Sequence, residues 1–93
     1  MEESVKLIDR ERYESNKEYK EVVDELLATL TPREEKILKV RLGLGFDKSH
    51  TLAEVGEMFK LESETIRRIE AKAYRRLRHP ARMNKINPVL KNK

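Results

Sequence analysis

Ser63, Glu64, Arg67, Arg68 and Lys72 fall on one side of a helix if the stretch after Leu61 is helical. That side carries hydrogen-bonding chemistry suited to DNA bases. Glutamate can accept from the N4 amine of cytosine, and arginine can donate two bonds to O6 and N7 of guanine. A carboxylate set among arginines in the first turns of a helix is therefore a candidate base reader. The plainer alternative is an intrahelical ion pair of Glu64 with Arg67 or Arg68 on a solvated face. Arg75, Arg76 and Arg78 follow, where they could meet phosphates or an acidic protein. They could equally complement the negative end of the helix dipole.

Other chemistries have little to stand on. The chain has no cysteine, and of its two histidines His50 sits in a predicted loop and His79 beside Pro80. A metal site would need carboxylates that the spacing does not supply. Ser49 and His50 are merely adjacent, which suits loop polarity better than a nucleophile with its base. No glycine-rich phosphate loop is present. The sequence thus predicts no enzyme, no cofactor and no metal.

The positions of the candidate readers depend on the helices around them. Thr51 and Glu54 form a T-x-x-E capping box, so a short helix starts at Leu52 with Leu52, Val55 and Phe59 inward. A turn at Lys60-Leu61-Glu62 leads to a longer helix from about Ser63. Ile66, Ile69, Ala73 and Leu77 line its inner side, and it ends before Pro80. Gly56 permits a close crossing of the two helices, and Leu61 plugs the junction. Lys60 takes the left-handed turn position at a cost of roughly 1 kcal/mol. This is a helix-turn-helix pattern, whose second helix places its first turns in the DNA major groove. On pattern alone an ordinary helical hairpin remains the alternative.

Upstream, Tyr19, Val22, Val23, Leu26, Leu27 and Leu30 make one apolar stripe on a helix from about Lys17 to Leu30. Thr31, Pro32 and Glu34 open the next helix as N-cap, first helical residue and capping-box partner. Ile37, Leu38, Leu42 and Val40 are its inward residues, and Gly43 is its stop. The expected fold is all-α, a small four-helix domain with a C-terminal helix-turn-helix. Residues 1–16 are predicted as a linker or flexible extension, residues 17–82 as the domain, and residues 83–93 as a basic tail.

The chain has 93 residues, of which 41% are charged, and a net charge of +4. Enough of so short a chain can be buried for one small domain only. The charge is unevenly placed: residues 67–93 hold ten Lys/Arg against one acid, Glu70, while residues 1–30 hold nine acids against five bases. A basic end of this kind faces polyanions or is a solvated tail. No apolar run approaches the roughly 20 residues of a membrane span. The acidic N-terminus is not a signal peptide, and a cytoplasmic protein is expected.

The segment LTPREEKILKVRLGL, followed by HTLAEVGEMFKLESETIRRIEAKAYRRLRHPAR, resembles region 4 of primary sigma factors of the bacterial sigma-70 family. The resemblance runs without a gap from about Leu30 to Arg82. It implies that the last helix recognises the −35 promoter element, with Glu64 and Arg67 at base-contacting positions. It further implies backbone contacts by Arg33, Arg41, Thr51, Leu52 and Lys72. A groove including Leu26, Leu27, Leu38 and Leu42 would take the flap-tip helix of the RNA polymerase β subunit. Arg75, Arg76 and Arg78 match a stretch that faces transcription activators. The implied partners are double-stranded promoter DNA, the polymerase core and an anti-sigma factor or activator, on the bacterial nucleoid and away from membranes.

This chain departs from the family pattern V-T-R-E-R-I-R-Q-I-E. Glu62 replaces the capping threonine, Ser63 and Thr65 replace arginines, and Arg68 replaces a glutamine. Two lost arginines and a gained carboxylate weaken attraction to the groove, and Arg68 offsets part of that. A relaxed or different hexamer is expected. A module that mainly binds protein partners is the alternative function. The length suggests an excised domain or a stand-alone relative rather than a whole sigma factor.

Overall fold

A computed structural model describes residues 8–80, which contain five α-helices and no strand. The predicted basic tail, residues 83–93, lies outside the described residues, as do residues 1–7 and the end of the predicted domain at 81–82. In chain order the helices are α1 (Arg10–Ser15), α2 (Lys17–Leu27), α3 (Pro32–Leu42), α4 (Leu52–Phe59) and α5 (Ser63–Leu77). The four expected helices are present, and α1 is an addition to them.

Helix α1 occupies Arg10–Ser15, within the stretch 1–16 expected to be a linker or flexible extension. The Asp9 side chain caps it by accepting from the Arg12 N–H, and Asn16 both ends it and caps α2 by accepting from Tyr19 N–H. Ile8 and Tyr13 are buried among the core residues of α2, α3 and α5. The polar stretch 9–17 looked like a linker because its anchors are not apolar neighbours in sequence. The Tyr13 hydroxyl donates to Asp24 Oδ1 at 2.6 Å, and the Tyr19 hydroxyl accepts from the Asp9 N–H at 2.9 Å. Lys20 lies over the Tyr13 ring and Arg12 over the Tyr19 ring, each in cation–π contact. Arg10 reaches further, donating from Nε to the Gly43 carbonyl and from Nη2 to the Phe46 carbonyl.

The local signals around α2, α3 and α4 work as their residue types require. Helix α2 ends at Leu27, earlier than the stripe to Leu30 suggests. The Thr29 hydroxyl donates to the Leu26 carbonyl, and Leu30 N–H turns back to Leu27. Leu30 is still buried, carried inward by the turn instead of by the helix. Thr31 and Thr51 both form complete capping boxes, with Glu34 and Glu54. Gly43 ends α3 at φ 76°, and a Cβ there would lie 2.6 Å from the Lys48 backbone, so glycine is required on two counts.

Two apolar clusters form the core. One joins Ile8, Tyr13, the inward residues of α2, Leu38, Leu44 and the second half of α5 through Ala73, Tyr74 and Leu77. The other joins Ile37, Val40, Val55 and Ile66, with Leu52, Phe59, Leu61 and Ile69 packed against it. Helix α5 serves both. No helix among the described residues is long and apolar enough to cross a membrane.

Candidate nucleic-acid interface

Helices α4 and α5 meet across Lys60, Leu61 and Glu62 as the sequence predicts. A Cβ on Gly56 would sit 2.5 Å from the Leu61 carbonyl oxygen, so the crossing is closed to any side chain there. Leu61 N–H donates to the Gly56 carbonyl at 2.8 Å, which fastens the turn onto the helix before it. Lys60 adopts the left-handed conformation, φ 58° and ψ 46°, alone among the described non-glycine residues in having positive φ. Leu61 is half-buried against the second cluster, and Ile66 is fully buried within it. This is the architecture of a helix-turn-helix.

Burial of Ile66, Glu70, Ala73, Tyr74 and Leu77 turns the opposite side of α5 to solvent. Ser63, Glu64, Arg67, Arg68 and Lys72 are all exposed there, on the predicted face. Glu64, Arg67 and Arg68 form one hydrogen-bonded group. Arg67 donates from Nε and Nη2 to the two Glu64 oxygens at 3.0 and 2.6 Å, and Arg68 Nε donates to Glu64 Oε2 at 3.2 Å. The Arg67 hydrogen bond, with the Arg67 charge and the hydrogen bond and charge of Arg68, holds the Glu64 carboxyl down to about 2 against the opposing effect of desolvation. Glu64 is therefore an anion, and so an acceptor only, at any ordinary pH. Both chemistries raised by the sequence meet in this group: it is an intrahelical ion pair, and it presents a carboxylate and two guanidinium groups at an open surface. Exposed pairs exchange partners readily.

Glu62 is the N-cap of α5 and makes no side-chain capping bond. Ser63 occupies the first helical position without replacing it. The first N–H groups of α5 thus lack the side-chain acceptor that Thr31 and Thr51 give α3 and α4.

The residues for which the resemblance implies other contacts are scattered. Arg33, Thr51 and Lys72 are exposed, whereas Leu52 is half-buried against the second cluster. Thr51 uses its hydroxyl to accept from Glu54 N–H. Arg41 points inward: its Nε lies 3.3 Å from Glu70 Oε1 and its Nη1 donates to the His50 carbonyl at 2.9 Å. Arg75 and Arg78 are exposed, but Arg76 is half-buried and reaches the buried Glu34 at 3.4 Å. Arg76 thus divides its side chain between Glu34 and the surface, while Arg75 and Arg78 face solvent.

The residues of the expected apolar groove differ in accessibility. Leu26, Leu27 and Leu38 are buried in the first cluster, and only Leu42 of the four is partly accessible. They lie on the inward stripe of α2 and α3, and Ile8 and Tyr13 join the same cluster. Partly buried Val22 is the other apolar side chain bordering that cluster. Glu70, Glu34 and His50 were not singled out as functional by sequence, though each positions another element. Glu70 carried a readable signal: it falls four residues after Ile66 and three before Ala73, on the inward stripe. Glu34 and His50 carried none beyond capping and loop polarity.

Residues 26–79 match the family model for region 4 of sigma-70. The chain is 50% identical over 70 residues to the RNA polymerase sigma factor RpoD of Neisseria gonorrhoeae, covering 75% of this chain and 11% of that protein. It is 52% identical over 71 residues to SigA of Clostridium acetobutylicum, 76% of this chain and 19% of the relative. It is likewise 52% identical over 63 residues to SigA of Lactococcus lactis subsp. cremoris, 68% of this chain and 17% of the relative. The helix-turn-helix and these matches agree: the chain belongs to the sigma-70 region 4 family. It spans less than a fifth of the length of these relatives.

Proposed function

We propose that this domain recognises promoter DNA at the −35 element by laying the start of α5 in the major groove. The observation that carries the reading is the exposed Glu64–Arg67–Arg68 group on the outer face of the second helix of a helix-turn-helix. On binding, Arg67 exchanges Glu64 for the edge of a guanine, and Glu64 turns to accept from a cytosine amine. Arg68, Lys72 and the exposed Arg33 add positive charge that favours phosphates. The names of the relatives support a role in transcription initiation with RNA polymerase.

Contact with the β-flap tip is the second part of the reading. With three of the four expected leucines buried, the partly accessible apolar side chains bordering that cluster are Leu42 and Val22. A domain that binds the flap, an anti-sigma factor or an activator while recognising DNA weakly is the competing reading. The absent side-chain cap at Glu62 and the loss of arginines at Ser63 and Thr65 favour it.

Equilibrium binding to labelled duplexes with and without a −35 hexamer, over a range of salt, tests the first reading. Arg67→Ala should cost roughly 1–3 kcal/mol and relax preference at one base pair. Equal binding of both duplexes by the unaltered chain at every salt concentration rejects base recognition. A flap-tip peptide retained by a domain with no measurable DNA binding establishes the competing reading.

A further inference from the structure

Glu70 is the one acid among ten bases after residue 66, and it is only 8% exposed. It sits on α5 three residues beyond Arg67, about one helical turn on and roughly 60° round toward the core. Arg41, in the last turn of α3, meets it with Nε, a nitrogen shut off from solvent. The distance is 3.3 Å, off the line of a good hydrogen bond. The same guanidinium donates from Nη1 to the main-chain carbonyl of His50.

His50 is itself fastened to the end of α3. Its N–H donates to the Arg41 carbonyl at 3.1 Å, and its ring Nδ1 lies 2.9 Å from the Val40 carbonyl. A carbonyl can only accept, so Nδ1 carries the proton. His50 directly precedes Thr51, the N-cap of α4. One guanidinium therefore touches the end of α3, the start of α4 and the middle of α5.

We propose that Glu70, Arg41 and His50 form an internal brace that sets the pose of α5, making Glu70 a positioning residue for base recognition. The proposal rests on the reading of α5 as the DNA-recognising helix. Base-edge hydrogen bonds weaken steeply with distance and angle, so a helix free to rock on its apolar seam would lose discrimination before it lost attraction. Apolar packing at Ile66 and Ile69 holds α5 down but constrains rotation poorly, being non-directional. The Arg41 guanidinium, oriented by its Nη1 bond to the His50 carbonyl, holds its charge against the Glu70 carboxylate and supplies that constraint. The ordinary alternative is that Glu70 acts only through its charge. A carboxylate in a DNA-binding helix then repels phosphate, and neutralising it tightens binding. The two accounts predict opposite signs.

The test uses Glu70→Gln in the full 93-residue chain. The probes are a duplex selected by the unaltered chain from a random-hexamer pool and a scrambled duplex of equal length. The brace predicts that the ratio of the two affinities falls by about tenfold, the worth of part of one bidentate base contact. The slope of affinity against salt stays unchanged, because no phosphate contact is lost. Amide hydrogen exchange over residues 63–72 speeds up. Equal tightening on both duplexes, or an unchanged ratio, overturns the proposal.

Should the unaltered chain fail to discriminate, base recognition itself fails. The brace is then decided by exchange alone, upheld if Glu70→Gln speeds it and overturned if it does not. Should Glu70→Gln not fold by circular dichroism, His50→Ala takes its place. It removes the latch to Val40 and leaves the Arg41–Glu70 contact, so a smaller fall in the ratio with faster exchange upholds the brace. No change in either overturns it.

Discussion

The two halves of this domain are held together in different ways. Around the helix-turn-helix, α3, α4 and the start of α5 close on a compact aliphatic cluster. Its geometry is set by neighbours in sequence: two threonine caps, a glycine at the crossing and a lysine in the left-handed turn. Around α1 and α2 the cluster is larger and built on tyrosines, and directional polar ties from distant residues arrange it. Tyr13 reaches Asp24, Arg10 reaches Gly43 and Phe46, and Arg76 reaches Glu34. The proposed DNA-binding surface thus takes most of its form from short-range signals, with the Arg41–Glu70 contact added across the fold. The half that frames it depends on contacts made only after the chain has folded back.

The largest expected effects compare the two clusters directly. Leu27→Ala and Ile66→Ala each empty a fully buried site, and each should cost about 2–5 kcal/mol in denaturant unfolding. Ile66→Ala should also abolish DNA discrimination, whereas Leu27→Ala should preserve it at temperatures where the protein is still folded. Equal loss of discrimination in both would erase the functional contrast between the halves. Next comes Gly56→Ala, where the new methyl group strikes the Leu61 carbonyl. Forcing the helices apart should cost about 1–3 kcal/mol and weaken DNA binding beyond what stability explains, read by binding and thermal melting together.

Tyr13→Phe is a milder probe of the polar half. It removes the bond to Asp24 and keeps the ring, so about 1 kcal/mol of stability should go with no change in DNA binding. The pH dependence follows from Asp24. Burial pushes its carboxyl up, but the Tyr13 hydrogen bond together with Lys20 and Lys39 outweighs this and leaves it below 3.8. A carboxyl lowered on folding adds stability that is present above its unfolded value and lost as pH falls through the folded one. The difference between the native chain and Tyr13→Phe should therefore shrink below about pH 4, measured as urea midpoints across that range. Smallest is Lys60→Gly. It relieves the left-handed strain but gives back unfolded-state entropy, for a net gain under about 1 kcal/mol by thermal melting.

The same contrast explains what could be foreseen. Thr31, Thr51, Gly43, Gly56 and Lys60 act within a few residues of themselves, and the structure finds each in its predicted role. The outer face of α5 was legible for the same reason, since helical spacing alone separates Arg67 from Ile66. Helix α1 was not, because Tyr13 amid charged neighbours shows no periodicity until Asp24 is brought beside it. Glu34 was read only as a capping partner and Glu70 only as the lone acid of the basic end, yet both are buried and meet arginines far away in sequence. The groove implied by resemblance placed Leu26, Leu27 and Leu38 on a surface, although the stripe of α2 had already marked the first two as core.

Helix α5 belongs to both clusters, and this bears on how the molecule comes apart. Its 15 residues span about 22 Å, with Ile66 and Ile69 completing one cluster and Ala73, Tyr74 and Leu77 the other. Neither half owns a complete set of walls without this shared beam. Heat or denaturant should therefore dissolve both in a single cooperative transition, with no stage in which the tyrosine-rich half stands alone. A fluorescence signal from Tyr13, Tyr19 and Tyr74 and a helicity signal from the whole chain should then trace the same curve.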